Sequence, residues 1–136
     1  MAKKFRVVGD EALRTIRISK ESATVIAAGD LAAKDADGYA IKAAAASAAV
    51  AYCPNGAPAG QLFAEVTIGN DFTLIGTADA NFALTDKGAL AHIVDTTQLI
   101  DVSGNATDVL QVSPEVDAGT VGSTKNIKVK INKPIF

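Results

Sequence analysis

The side chains best suited to catalysis are few and poorly placed for it. His92 is the single histidine in 136 residues, and Asp95 follows three positions later. A histidine and a carboxylate can act as a general base, but catalysis also needs a nucleophile beside the imidazole, and the candidates Ser103 and Cys53 lie in no nucleophile-elbow motif. The sequence therefore predicts that the protein is not an enzyme. The alternative is a small enzyme or ligand-binding barrel with His92 and Asp95, or other carboxylates, at its mouth.

Two further stretches resemble ligand-binding loops without matching them. "DADG" at 35–38 begins like a calcium loop, but the third acidic ligand and the distal glutamate are missing. "GTVGSTK" at 119–125 lacks the spacing of a phosphate-binding loop, and a strand pattern follows it instead of a helix. The single cysteine offers neither an intrachain disulfide nor a zinc site. We expect no metal and no cofactor.

The elements that would position these residues read as short strands. In "NIKVKI" at 126–131, apolar residues alternate with lysines at the period of a strand that is buried on one face. The Asp37-Gly38 pair predicts a hairpin turn, and further strand signals recur every eight to twelve residues between Gly, Asn, Asp and Pro. The alanine-rich run at 43–51 is the one segment where helix propensity dominates.

These patterns predict a mainly β protein. We expect a small single-domain barrel or sandwich of short antiparallel strands, with at most a short helix near 43–51. Residues 1–20 are predicted to form a basic N-terminal arm or a first strand. Residues 21–136 are predicted to form the β domain, which ends in a C-terminal strand with an apolar tip, Ile135 and Phe136.

Charge is segregated along the chain although the net charge is only -2. Residues 1–29 carry six basic and three acidic side chains, residues 30–117 carry three basic and twelve acidic ones, and residues 118–136 carry four lysines and no acid. The basic ends could bind an acidic partner surface or lie against the chain's own acidic middle. The residues predicted to contact a partner are Arg6, Arg14, Arg17, Lys128, Lys130, Ile135 and Phe136.

Nucleic acids and membranes are not the expected partners. The basic residues have no interleaved aromatic side chains, and the chain as a whole is acidic. The start "MAKKFRVVG" is basic, but Asp10 and Glu11 interrupt the apolar segment that a secretion signal would need. The longest apolar stretch, at 43–53, is about half the length of a membrane-spanning helix.

Three stretches carry a resemblance to a known family. They are "VIAAGDLAAKDADGYAIKA" at 25–43, "AYCPNGAPAGQ" at 51–61 and "IDVSGNATDVLQVSPEVDAGTVGSTKNIKVKINKPIF" at 100–136. With their Ala-Gly-Asp and Ala-Gly-Gln turns before strands, and with the closing "KNIKVKINKPIF", they resemble the decoration or cement proteins of tailed-bacteriophage capsids. The first 20 residues have no counterpart in that pattern.

The resemblance implies a role in the virion. Proteins of this family bind the outside of the assembled capsid, often as trimers, and clamp neighbouring coat subunits. For this chain it implies the major capsid protein as partner, a homo-trimer, a location on the capsid exterior after synthesis in the host cytoplasm, and no catalytic residues. Another virion component, such as a head fibre base, a head-completion protein or a tail protein, is the alternative.

Overall fold

The computed structural model describes residues 4–9, 13–102 and 107–136. These residues form eleven strands: β1 (Arg6–Val7), β2 (Thr15–Ser19), β3 (Asp30–Lys34), β4 (Ala40–Lys42), β5 (Ala51–Cys53), β6 (Phe63–Thr67), β7 (Leu74–Gly76), β8 (Leu90–Val94), β9 (Leu99–Asp101), β10 (Leu110–Val112) and β11 (Ile127–Ile131). Two single 3-10 turns, Leu84–Asp86 and Asp95–Thr97, are the helical elements of the part described. The prediction of a mainly β protein built from short antiparallel strands is confirmed.

The larger sheet closes on itself as a small barrel. Its strand order is β1-β7-β11-β10-β8-β9, and all of these pairs are antiparallel. β9, the final strand in this order, then pairs with the segment that follows β7. There the amide of Ile100 donates to the carbonyl of Thr77 at 2.8 Å, and the amide of Asp79 donates to Ile100 at 3.0 Å. This parallel bridge satisfies backbone groups that an open sheet edge would expose.

The barrel interior follows the period of two that the sequence shows. Ile127, Val129 and Ile131 of β11 are buried, while Lys128 and Lys130 point to the outer face. Gly76 is required because the ring of Phe5 lies 2.6 Å from where a Cβ atom would sit. Phe5 also ties down the N-terminal segment, since its amide donates to Gly29 and its carbonyl accepts from the Tyr52 hydroxyl, at 2.9 and 3.0 Å.

Two smaller sheets, β4-β3-β5 and β2-β6, lie beside the barrel and enclose a second core. This core consists of small side chains such as Ala32, Ala51, Cys53 and Ala64, and Ile135 packs against its margin. The predicted turn at Asp37-Gly38 is confirmed, because it joins β3 and β4 as a hairpin. Within residues 1–20, the described segments 4–9 and 13–20 contain β1 and β2.

The barrel and the β4-β3-β5 sheet are joined by a buried side-chain amide. Gln98, at the turn between β8 and β9, is 2% exposed and has a left-handed backbone with φ of 56°. Its Oε1 accepts from the amide of Leu31 at 2.7 Å, and its Nε2 donates to the carbonyls of Leu31 and Ala43 at 2.7 and 3.2 Å. A side chain from the β8–β9 turn thus bridges Leu31 of β3 and Ala43, the residue that follows β4.

The alanine run at 43–51 does not form the helix that its composition favours. Ala43 donates to the carbonyl of Leu31, and Val50 donates to Lys133 and accepts from Ile135. Because both ends of the run are held by neighbouring strands, the segment crosses between sheets through turns. Tertiary contacts therefore override a local helix propensity worth only a few tenths of a kcal/mol per residue.

Candidate interaction surfaces

His92 has a different partner from the one that its sequence position suggests. It faces Asp101 across the β8–β9 hairpin, and its Nε2 lies 3.0 Å from Asp101 Oδ2. Asp95 instead begins the 3-10 turn after β8. The other ring nitrogen of His92 is buried and has no hydrogen-bond partner among the residues that the structure describes. Ser103, the first candidate nucleophile, lies outside those residues.

Cys53, the second candidate nucleophile, lies in the second core and is fully buried. Burial raises the pKa of its thiol to about 11, the negative charges of Asp30 and Glu65 add to this effect, and a hydrogen bond with the backbone at Gly56 partly opposes it. Since the thiolate is the reactive form, this cysteine is a poor nucleophile at neutral pH.

The calcium-like stretch acts as a turn. Asp35 Oδ1 accepts hydrogen bonds from the amides of Asp37 and Tyr39, both at 2.9 Å, and so closes the β3–β4 hairpin. In the segments 4–9, 13–102 and 107–136, no group of three or more His, Cys, Asp or Glu side chains could hold a metal ion. The same segments contain no helix long and apolar enough to cross a membrane.

Three of the predicted contact residues lie near the end of β6 that leads into Ile68 and Gly69, and we call this region the chain-end surface: Arg14, Ile135 and Phe136. The consecutive amides of Ile68 and Gly69 donate to the carbonyls of Arg14 and Phe136, at 2.8 and 2.7 Å. These two bonds bring the N-terminal strand β2 and the C-terminal tip to the same end of β6. Arg14, which lies just before β2, and the C-terminal tip are far apart in sequence but are both bonded at this end of β6.

The apolar tip is held mainly by its own chain. Ile135 packs against the second core, and its amide donates to Val50 at 3.2 Å. Phe136 keeps 39% of its surface exposed, and the Lys34 ammonium lies 5.2 Å from the centre of its ring. Ile135 thus covers part of the second core, while part of the Phe136 ring stays accessible.

Arg17 is engaged within β2 and β6. Its guanidinium lies 4.4 Å from the centre of the Phe63 ring, and its Nε donates to Glu65 at 3.3 Å. The arginine side chain is nevertheless 67% exposed, so the pair contributes little to stability. This contact places one of the N-terminal arginines against the acidic middle of the chain.

The other three predicted contact residues, Arg6, Lys128 and Lys130, share the outer face of the barrel. Arg6 and Lys128 are both register partners of Ile75, from opposite sides of β7. Lys130 lies two residues further along β11, opposite Gln111 of β10. We call this region the barrel face.

The charges of the barrel face are partly neutralised. Lys128 forms a hydrogen-bonded ion pair with Asp117, and this bond lowers the pKa of the Asp117 carboxyl. Arg6 donates to the side-chain oxygen of Asn126 at 3.3 Å, a neutral partner. Lys130 is exposed and lies beside a cavity that also involves Gln111 and Glu115.

This cavity was not predicted from the sequence. Its walls come from β10, β11, the residue before β7 and the loop that follows β10, and only the strand register brings them together. The available signal was the "LQV" run at 110–112, where Gln111 stands between two apolar residues and must face outwards from a buried strand.

A scan against protein-family models, a search of curated proteins and a search of solved structures found no significant match.

Proposed function

We propose that this protein is a structural component of a tailed-phage virion, which binds the outer surface of the assembled capsid and stabilises contacts between coat subunits. The proposal rests on the resemblance of residues 25–43, 51–61 and 100–136 to capsid decoration proteins. The observation that supports it best is the chain-end surface, where the backbones of Arg14 and Phe136 accept from consecutive amides after β6 and both side chains are exposed.

The chain-end surface has the chemistry of a protein-binding site. Arginines and aromatic rings contribute most to binding at protein interfaces, and Arg14 and Phe136 are both exposed here. Arg14 would form charge-assisted hydrogen bonds with acidic side chains of the coat protein, while Phe136 enters an apolar pocket. A weak single contact is sufficient, because copies bound to a repeating lattice, and linked as a homo-trimer, gain avidity.

The test is co-sedimentation with empty capsids of the phage that encodes the chain. We expect wild-type protein to pellet with the capsids in hundreds of copies per particle, as a decoration protein must. Arg14→Glu and Phe136→Ala should each weaken binding about tenfold or more, by loss of an interface residue worth about 1–2 kcal/mol. Lys125→Glu, which alters an exposed lysine in the loop before β11, is the matched control and should bind normally.

Three results would count against the proposal. Failure of the wild-type protein to pellet would remove the capsid role. A few copies per particle would indicate the alternative virion component, such as a head-completion or tail protein. Normal binding of both chain-end variants would show that another surface contacts the capsid. Light scattering on the purified protein measures separately whether it is a trimer in solution.

A further inference from the structure

The cavity on the barrel face has the size and position of a binding groove. It has a volume of about 340 Å³, within the range of about 300–1,000 Å³ found for ligand pockets. Its floor includes Thr73, Gln111 and Lys130, and the 113–115 segment after β10 forms one wall. The groove lies on the opposite side of β11 from the barrel core, because its floor residues alternate with the buried ones.

The floor residues form a row across three neighbouring strands. Lys130 is the register partner of Gln111, and continuing the β11–β7 register places Thr73 opposite Lys130. Neighbouring strands lie about 4.8 Å apart, so the row spans about 10 Å. An extended peptide rises about 3.3 Å per residue, so about three residues would cover the row.

The polar groups of the groove suit a peptide better than a simple anion. Lys130 supplies an ammonium donor, Gln111 an amide, Ser113 a hydroxyl and Glu115 a carboxylate. A peptide backbone alternates donors and acceptors and can use both kinds of group. A small anion such as phosphate gains from Lys130 but is repelled by Glu115, whereas a peptide that pairs one acidic side chain with Lys130 can present a backbone amide to Glu115.

The charge around the groove sets the preferred sequence of that peptide. Asp117 neutralises Lys128, which leaves Lys130 on the floor and Arg6 farther along the same face. Acidic side chains would therefore be attracted on the β11 side. At the loop end, Val116 is 88% exposed and follows Glu115 directly, so it offers an apolar contact.

We propose that this groove binds an extended acidic segment of a protein partner, with an aspartate or glutamate paired to Lys130. The groove is on the barrel face and so provides a second contact beyond the chain-end surface. If the proposed function holds, the segment belongs to the coat protein. The binding of a peptide can be measured without capsids, so the two proposals fail independently.

The test is a chemical-shift titration of the full ¹⁵N-labelled chain with a capped octapeptide that alternates aspartate with serine. In an extended conformation this peptide places all of its carboxylates on one face. We expect saturable shifts at the amides of Gln111, Ser113 and Lys130. Lys130→Glu should weaken binding about tenfold or more, since it replaces attraction by repulsion, whereas Lys125→Glu, with the same charge change elsewhere, should not.

Each other outcome overturns the inference. A lysine–serine octapeptide that binds equally well would show that charge does not select the ligand. Inorganic phosphate that produces the same shifts with the same affinity would show a simple anion site. Shifts that map to the chain-end surface, or no shifts at all, would remove the groove as a peptide site, as would unchanged binding by Lys130→Glu.

Discussion

Gln98 provides the sharpest test of how the barrel and the β4-β3-β5 sheet are held together. Its amide makes three hydrogen bonds to the backbone of Leu31 and Ala43, and it is buried at 2% exposure. Gln98→Ala leaves the amide of Leu31 without its acceptor and removes the donor to Ala43. Leu31 O keeps the bond from the Ala43 amide at 3.0 Å. Two backbone groups are therefore affected.

The expected cost follows from these two groups. An unsatisfied buried donor or acceptor costs about 1–3 kcal/mol, so Gln98→Ala should lower the free energy of unfolding by about 3 kcal/mol. With a urea dependence of about 1.5 kcal/mol per M, the unfolding midpoint falls by about 2 M. Circular dichroism can follow the transition, since the chain has no tryptophan. Gln111→Ala is the matched control, because the exposed Gln111 amide donates only to Gly88 and its loss should cost under about 0.5 kcal/mol.

The isosteric Gln98→Glu adds a dependence on pH with a defined sign. Burial and the carbonyls of Leu31 and Ala43 should raise the pKa of this carboxyl in the folded state above its unfolded value of about 4.3. The folded state then binds the proton more tightly. The difference in stability from wild type should therefore be smallest below about pH 4 and should grow as pH rises through the folded pKa. The proposed role of the Gln98 hydrogen bonds would be refuted if Gln98→Ala lowered the free energy of unfolding by less than about 1 kcal/mol. It would also be refuted if the loss of stability in Gln98→Glu did not change with pH.

Three further predictions concern other buried groups. The pKa of the Cys53 thiol is about 11 in the folded chain and about 8.5 in an unfolded one. Wild type should therefore lose stability relative to Cys53→Ala as the pH rises between those two values. If urea unfolding showed the same change of unfolding free energy with pH for both proteins, this prediction would be wrong. Gly76→Ala should cost about 1–3 kcal/mol through collision with the Phe5 ring, and Phe5→Leu in the same chain should recover part of that loss; additive costs would show that the two residues do not interact. Ile135→Ala should cost about 1–2 kcal/mol in thermal or urea unfolding, and more than Phe136→Ala, since Ile135 packs on the second core while the ring is 39% exposed; the opposite order would contradict the packing.

The strand pattern was readable from the sequence wherever one face is fully buried. The alternation at 127–131 and the turn at Asp37-Gly38 depend on local side chains alone, so both predictions agree with the structure. The apolar spacing of "ALAHIVD" at 89–95 fits a strand or one helical turn, so local pattern alone does not decide between them. The segment forms β8, because β9 and β10 pair with it on both sides.

The candidate sites depend on register, which the sequence does not encode locally. Whether His92 lies opposite Asp101 depends on the length of the turn around Gln98. Because that length is not evident from the sequence, the prediction used Asp95, which is nearer along the chain. The groove needs three strands aligned at Gln111. Nothing within five or six residues of Gln111 indicates that Lys130 will be its neighbour.

The charges that are segregated along the sequence are partly paired within the fold. Arg17 and Lys128 meet Glu65 and Asp117, which both belong to the acidic middle, so part of the segregation is satisfied within the fold. These pairs lie at the surface, where they contribute little to stability, and a partner carboxylate could replace Glu65 or Asp117 at little cost. Intrachain pairing therefore does not exclude these residues from an interface.

The C-terminal tip serves folding and recognition with different atoms, and this determines how its role can be tested. Ile135 and the backbone of Phe136 hold the second core and the end of β6, whereas the exposed face of the Phe136 ring is available to a partner. Deleting residues 134–136 would remove both contributions at once, so a loss of capsid binding would have two explanations. Phe136→Ala keeps the backbone bond to Gly69 and the packing of Ile135. A change in binding by that variant, with an unfolding midpoint near wild type, would therefore report recognition alone.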